Sequence, residues 1–282
     1  MTEGEAAPAA IAVQATRNLL LRVVAALVLA PAAIVIAYLG GWFWAALVTL
    51  AAIGLFVEWL AIVGEKRRTL VVALGVIALV VAGGAIGLGR FEVWLLVVLL
   101  GCAAVGALAP ERRLWAAAGF GYAAAAQIAS ILMRFDSAKG LSALILILLV
   151  VWATDIGGYF AGRSIGGPKL WPRISPNKTW AGAIGGFAAS IVVAAGFVAF
   201  RLGETVPLLV LASVLSIASQ LGDLFESAVK RRFGVKDSSR IIPGHGGVLD
   251  RLDGFVAAVV LAAIFGLLRG GVDGVGRGLM VW

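Results

Sequence analysis

Short polar connections divide the chain into nine apolar runs, near residues 18–39, 42–63, 70–88, 93–109, 114–133, 141–162, 180–200, 207–227 and 248–269. Each is close to the roughly 20 residues a helix needs to cross the hydrocarbon core of a bilayer. Of 282 residues, 62% are hydrophobic and 13% charged, more apolar surface than one soluble core can hide, so lipid is the expected solvent. The expected fold is all-α: a polytopic integral membrane protein of about nine transmembrane helices. The 37 glycines fit this reading, because small residues let helices pack closely in lipid.

Charge gives the expected topology. Lys66, Arg67 and Arg68 follow the second run, Arg112 and Arg113 the fourth, and the longest basic loops follow the sixth and eighth. By the positive-inside rule these loops face the cytoplasm, which places the N-terminus inside and, with nine spans, the C-terminus outside. The same distribution explains the net charge of +8 as topology rather than as a nucleic-acid surface. Residues 1–16, Ala-rich and without a basic start, are expected to form a poorly ordered cytoplasmic tail. Cys102, the single cysteine, excludes an intramolecular disulfide and lacks zinc-ligand spacing. No internal repeat stands out. The organisation is lopsided, however: residues 17–140 carry few polar residues within the oily runs, chiefly Glu58 and Gln127, while 141–282 hold two motif-dense loops and carboxylates at helix ends.

An ionised carboxylate such as Asp155, near the end of the sixth run, is costly in an apolar setting unless paired, solvated or bound to a cation. The loop that follows gathers Arg163, Lys169, Arg173 and Lys178, which can surround a phosphate. In "SPNKTW", Pro176 and Asn177 are read as a turn that presents Ser175, Lys178 and Thr179 to the start of the seventh helix, where backbone amides favour anions.

The densest stretch is 222–254, with four aspartates, a glutamate, a series of lysines and arginines, and the only histidine. On a helix, Asp223, Ser227, Lys230 and Arg231 share one face. Asp250 and Asp253 lie three apart on the first turn of the ninth helix, where either alone is accounted for as a cap on free amides. Two carboxylates beside the acid of an antiparallel helix also make a hard-oxygen site for Mg²⁺, which binds few carboxylates together with substrate phosphates. His245 lacks the partners of a zinc ligand and suits backbone or phosphate oxygens better, while Gly246 and Gly247 let the backbone approach a bulky anion.

These residues resemble the phosphatidate cytidylyltransferases, or CDP-diacylglycerol synthases. The family's C-terminal signature reads here as Ser227, Lys230-Arg231, Lys236-Asp237, His245-Gly246-Gly247, Asp250-Arg251 and Asp253, over 227–253, with every spacing kept. Upstream, Asp155, Gly157 and Tyr159 followed by Ser175 to Trp180 are also similar; Ala181 stands where members often carry Glu or Gln. The resemblance covers about residues 150–255. It implies transfer of CMP from CTP to phosphatidic acid, giving CDP-diacylglycerol and pyrophosphate, with Mg²⁺ required. In that reading Asp223 and Asp250, with Asp253 beside them and Asp155 as a weaker candidate, hold the metal. Lys178, Lys230, Arg231, Lys236 and Arg251 bind triphosphate or lipid phosphate, with Ser175, Arg173, Ser227, His245, Gly246 and Gly247 lining the substrate site. The expected location, for a bacterial chain, is the inner (plasma) membrane, with the active site facing the cytoplasm. A second, monovalent cation and a homodimer are left open by the sequence.

Two other readings stand beside this one. A cation-coupled transporter also needs intramembrane acids, but its polar groups must continue across the bilayer, whereas these crowd at one end of the helices. A CTP-dependent lipid or polyprenol kinase would use the same nucleotide with a neutral alcohol as acceptor, which explains the many cations less well.

Overall fold

The computed structural model describes residues 31–65, 68–239 and 246–282. Helical residues 31–39 (α1) lead into α2 (Gly41–Val63), α3 (Arg68–Gly87), α4 (Phe91–Leu108), α5 (Arg113–Phe135) and α6 (Gly140–Ser164). A two-stranded hairpin, β1 (Lys169–Trp171) and β2 (Ser175–Thr179), precedes α7 (Trp180–Ala199), α8 (Thr205–Arg232), α9 (Leu249–Gly270), a 3-10 turn at Val272–Gly274 and α10 (Val275–Met280). Among the described residues, eight helices are long and apolar enough to cross a membrane, α2 to α9. They correspond to the second through ninth apolar runs. Most of the first run, and the tail at 1–16, lie outside the described residues. The expected all-α polytopic fold stands.

Leu50, Ile77, Leu99, Val192 and Leu268 project outward from five different spans. In water this would be a large penalty; against lipid tails it is the low-energy arrangement, and helix association then relies on packing and internal hydrogen bonds. Breakers divide the spans. Gly64 ends α2 at φ +69°, a left-handed conformation that costs glycine little, and its N–H bonds the carbonyl of Leu60.

The two halves pack by different means. In the first, Phe56 meets Phe120 edge-on with ring centroids 5.6 Å apart, and Trp59, almost fully buried, stacks on Tyr122 at 5.5 Å. The buried amide of Gln127 donates to Thr49 Oγ1 and to the carbonyl of Leu79, both at 2.9 Å, joining α5 to α2 and α3. In the second half, small residues bring helix backbones together. A Cβ on Gly182 of α7 would lie 2.9 Å from the carbonyl oxygen of Gly158 on α6, so only hydrogen fits between these helices.

Three contacts fasten the basic segments to one another and to α2 at one end of the bundle. Arg231 Nε donates to the carbonyl of Ile174 at 3.4 Å, the Arg112 guanidinium lies 5.3 Å from the Phe233 ring centre, and Ser238 bonds Glu58. At the other end, Asp136, in the α5–α6 connection, takes Arg277 of α10. The helix α8, with 28 residues, is about 42 Å long against a hydrocarbon core of about 30 Å, so its last turns emerge at the basic end.

One local expectation is corrected. Pro176 and Asn177 are strand residues of β2, and the turn falls at 172–174, where the Ile174 N–H bonds the Trp171 carbonyl at 3.1 Å. Pro172 supplies the fixed φ that a turn uses, and a two-stranded ribbon tolerates Pro176 because its strands are both edges.

Candidate active site

A cleft of about 990 Å³ opens among α6, β2, α7, α8 and α9 at the basic end. The hairpin delivers Lys178 to it, after which Thr179 caps α7 by accepting the N–H of Gly182 at 3.1 Å. Along α8, Asp223, Glu226 and Lys230 recur at helical spacing and face inward. The first turns of α9 add Asp250, Arg251 and Asp253, and α6 adds Asp155 and Arg163.

Asp223 and Asp253 meet because each has a glycine beside it. A Cβ on Gly222 would sit 2.6 Å from the Asp253 carbonyl oxygen, and one on Gly254 would sit 2.5 Å from Ser219 Oγ. The two helices therefore approach closely just where the acids branch off. With Glu226, the two aspartates form a group in which one carboxylate oxygen from each lies within 4.8 Å of the other two. Three acids so close repel unless cations intervene. Lys178 pairs with Asp223, and Lys230 Nζ bonds Glu226 Oε2 at 2.8 Å. Glu226 Oε1 remains buried without a hydrogen-bond partner among the described residues, as does Ser219 Oγ one turn before Asp223. A buried carboxylate oxygen with no donor, beside two further carboxylates, fits a hard divalent cation.

Asp250 has another set of partners. Lys230 Nζ reaches its Oδ1 at 2.7 Å, while Ser238 Oγ at 2.9 Å and the Gly247 N–H at 3.1 Å reach its Oδ2. Both oxygens are engaged, and Asp250 stands outside the three-acid group. Lys230 thus bridges Asp250 and Glu226, tying the start of α9 to α8. Ser227 Oγ lies 3.4 Å from Asp223 Oδ1, as their four-residue spacing predicts. Arg231, although on the same helix face in sequence terms, turns to the carbonyls of Ile174 and Val235 and lies outside the cleft lining. Arg173 is exposed in the hairpin turn, Ser175 is half-buried at the start of β2, and Lys236 is exposed just past α8; none of the three lines the cleft. Gly246, at φ +86°, and Gly247 lead the chain into α9 beside Asp250. His245 lies outside the described residues.

Glu226 and Glu58 escaped the sequence reading of the site. Glu226 was detectable, since it falls three residues after Asp223 and so shares its face. Glu58 was visible only as an isolated intramembrane acid, 180 to 191 residues from the groups it meets.

A family model described as the cytidylyltransferase family matches residues 20–268. Proteins named phosphatidate cytidylyltransferase from Brucella suis biovar 1 and Brucella melitensis biotype 1 are each 42% identical over 256 residues, covering 89% of this chain and 94% of the relative. One from Staphylococcus saprophyticus is 50% identical over 129 residues, 45% of this chain and 49% of its own. With a match spanning α2 to α9 and a nucleotide-sized cleft of paired acids and lysines, this chain belongs to the cytidylyltransferase family and is a multi-pass membrane nucleotidyltransferase.

Proposed function

We propose that the chain catalyses CTP + phosphatidic acid → CDP-diacylglycerol + pyrophosphate, a step of phospholipid biosynthesis, in the cleft between α6 and α9. The observation that carries this reading is the convergence of Asp223, Glu226 and Asp253 opposite Lys178 and Lys230 at the emerging ends of membrane-spanning helices. The names of the relatives support the same reaction. An oxygen of the lipid phosphate bonds to the α-phosphorus of CTP. The bond from that phosphorus to the bridging oxygen of the β-phosphate breaks, and pyrophosphate leaves with the electron pair. The acceptor is already anionic, so no strong base is required, and the work of the site is positioning and charge neutralisation.

Asp223, Glu226 and Asp253 are the residues that would hold Mg²⁺. Bound there, the ion would neutralise phosphate oxygens and lower the repulsion between nucleotide and lipid phosphate. Each lysine ammonium has three donors, and Lys178 and Lys230 keep one or two for phosphate after satisfying their carboxylates. Arg163 and Arg251 add charge at the rim. Trp152 and Tyr159, both exposed along α6, line the same cleft and offer an apolar wall for the glycerol and upper acyl region of a lipid. Basic loops at this end support a cytoplasmic location, where CTP is found, and an inner-membrane site in a bacterial cell.

Purified protein supplied with CTP labelled at the α- or the γ-phosphate separates this reaction from lipid phosphorylation. Label from the α-position, and none from the γ-position, enters extracted lipid if cytidylyl transfer occurs. Transfer of γ-label would overturn the proposal in favour of a lipid kinase.

A further inference from the structure

Glu58 lies in the half of the molecule that contributes nothing to the lining of the cleft, yet four donors from the other half converge on its buried carboxylate. Oε1 accepts from Ser239 Oγ at 2.6 Å and the Val248 N–H at 2.9 Å. Oε2 accepts from Ser238 Oγ at 2.9 Å and the Leu249 N–H at 2.8 Å. The last two amides open α9, which has no side-chain cap of its own at Val248. A carboxylate from α2 therefore caps the helix that carries Asp250 and Asp253, satisfying orphan amides from across the fold.

The connection continues inward. The single hydroxyl hydrogen of Ser238 is shared between Glu58 Oε2 and Asp250 Oδ2, each 2.9 Å from Oγ, and the Ser238 N–H donates to Asp250 Oδ2 at 3.2 Å. Asp250 holds Lys230, and Lys230 holds Glu226. A single polar chain thus runs Glu58–Ser238–Asp250–Lys230–Glu226, from α2 into the three-acid group. Gly247 leaves the room that this chain needs: a Cβ there would collide with Ser238 Oγ and Glu58 Oε2. The second glycine of the "HGG" stretch is thereby explained by contact with α2 as well as by any approach to substrate.

We propose that Glu58 is a positioning residue for the transfer reaction: it fixes the start of α9 and, through Ser238 and Asp250, sets Lys230 against Glu226. The proposal rests on the reading of the three-acid cleft as the reaction site. Buried donors left without an acceptor do not stay in place, and a displacement of about 1 Å in a reacting site costs on the order of a hundredfold in rate.

The test compares Glu58→Gln, Ser238→Ala and their combination with wild type in detergent or nanodiscs, using steady-state constants per folded enzyme and thermal unfolding. Asp136→Asn serves as a control that disturbs a single buried carboxylate and its donors, Ala138, Lys139 and Arg277, at the opposite end. Glu58→Gln is expected to lower kcat/KM for CTP by about tenfold to a hundredfold. The KM for phosphatidic acid is expected to change less than that for CTP, and the double variant to be no worse than the more severe single one, because both cut the same chain. Asp136→Asn is expected to lower the Tm while leaving kcat/KM unchanged. The proposal is overturned if Glu58→Gln behaves like Asp136→Asn, losing stability alone, or if the two substitutions combine multiplicatively. Should Glu58→Gln fail to fold, Ser238→Ala tests the route from Glu58 to Asp250, since α2 and the Glu58 bonds to Ser239, Val248 and Leu249 stay in place: unchanged kinetics overturn the proposal, which requires that route. Asp223→Asn and Asp253→Asn run in parallel; if they retain turnover, the reading of the cleft fails, whereas if they are inactive and Glu58→Gln is normal, only the role of Glu58 does.

Discussion

The helices α2 to α5 and the helices α6 to α9 solve the same problem, association in lipid, in opposite ways. The first group inserts large rings, with Phe56, Trp59 and Phe120 fully or almost fully buried, and so keeps its backbones apart. The second removes side chains, with Gly158 against Gly182 and Gly222 against Asp253, and so brings backbones into contact. Rings fill space and leave nothing to react. Glycine contacts let neighbouring side chains from two helices converge on one point, which is how Asp223 and Asp253 come within reach of one another. The halves meet through rings, with Trp59 stacked on Phe225 and Trp115 edge-on to Phe233, and through polar links, of which the set of donors on Glu58 leads toward the cleft.

The contrast can be broken most severely at the point of convergence. Asp253→Asn removes one of three clustered acids without changing shape, and a fall in kcat of about a hundredfold to a thousandfold is expected, with the protein still folded by size exclusion. Activity that survives at saturating Mg²⁺ would separate this residue from the chemistry. Next in size is Gly222→Val, which pushes α8 from α9 and shifts the acids rather than deleting them. A loss of about a hundredfold in kcat/KM is expected, and Asp223 and Asp253 should no longer bind Mn²⁺ together in a paramagnetic resonance titration.

On the aromatic side the same kind of insult should change stability and spare the chemistry. Phe120→Ala leaves a cavity against Phe56 and should cost about 3–5 kcal/mol of stability, seen as a lower midpoint in denaturant, with kcat/KM within about twofold of wild type for the folded fraction. A parallel collapse of activity would mean that the two halves are coupled more tightly than the Glu58 chain provides.

The smallest effect is expected at Asp136, in the connection between the halves. Burial alone would raise its pKa, but the backbone N–H groups of Arg277, Lys139 and Ala138 and the Arg277 charge outweigh it and hold the carboxyl below its ordinary 3.8. A depressed folded-state pKa means that its stabilisation is complete above the unfolded value and is lost as pH falls through the folded one. Asp136→Asn should therefore cost about 1–3 kcal/mol near pH 7, and the gap from wild type should narrow only below about pH 3.8. Thermal melts across that range would detect a gap that closes earlier.

Much of this was legible in the chain. The apolar runs gave the spans to within a few residues, since bilayer thickness sets a length that composition cannot disguise. Spacing also placed Asp223 with Ser227, a relation confined to one helix. Relations between helices were legible only in part: Asp253 meets Asp223, as acids at facing helix ends suggest. The family resemblance sets Asp250 with Asp223 as the firmest metal candidates; in the structure Asp250 bonds Lys230, Ser238 and Gly247, and Glu226 joins Asp223 and Asp253. Pro176 and Asn177 have turn composition, yet the turn forms at Pro172, because the antiparallel register of Lys169 with Thr179 and Trp171 with Ser175 fixes where the chain reverses.

By itself the sequence determined that this protein lives in a membrane, how many times its described helices can cross it, and which short segments carry its charge. These follow from local quantities, hydropathy and periodicity, that need no knowledge of neighbours. Which carboxylates meet was decided only by tertiary structure, because that depends on how near two backbones approach, and on whether Gly222, Gly247 and Gly254 leave room for the groups opposite them. Glu58 is the sharpest case: a lone acid along the chain, and in the fold the residue on which the start of α9 rests.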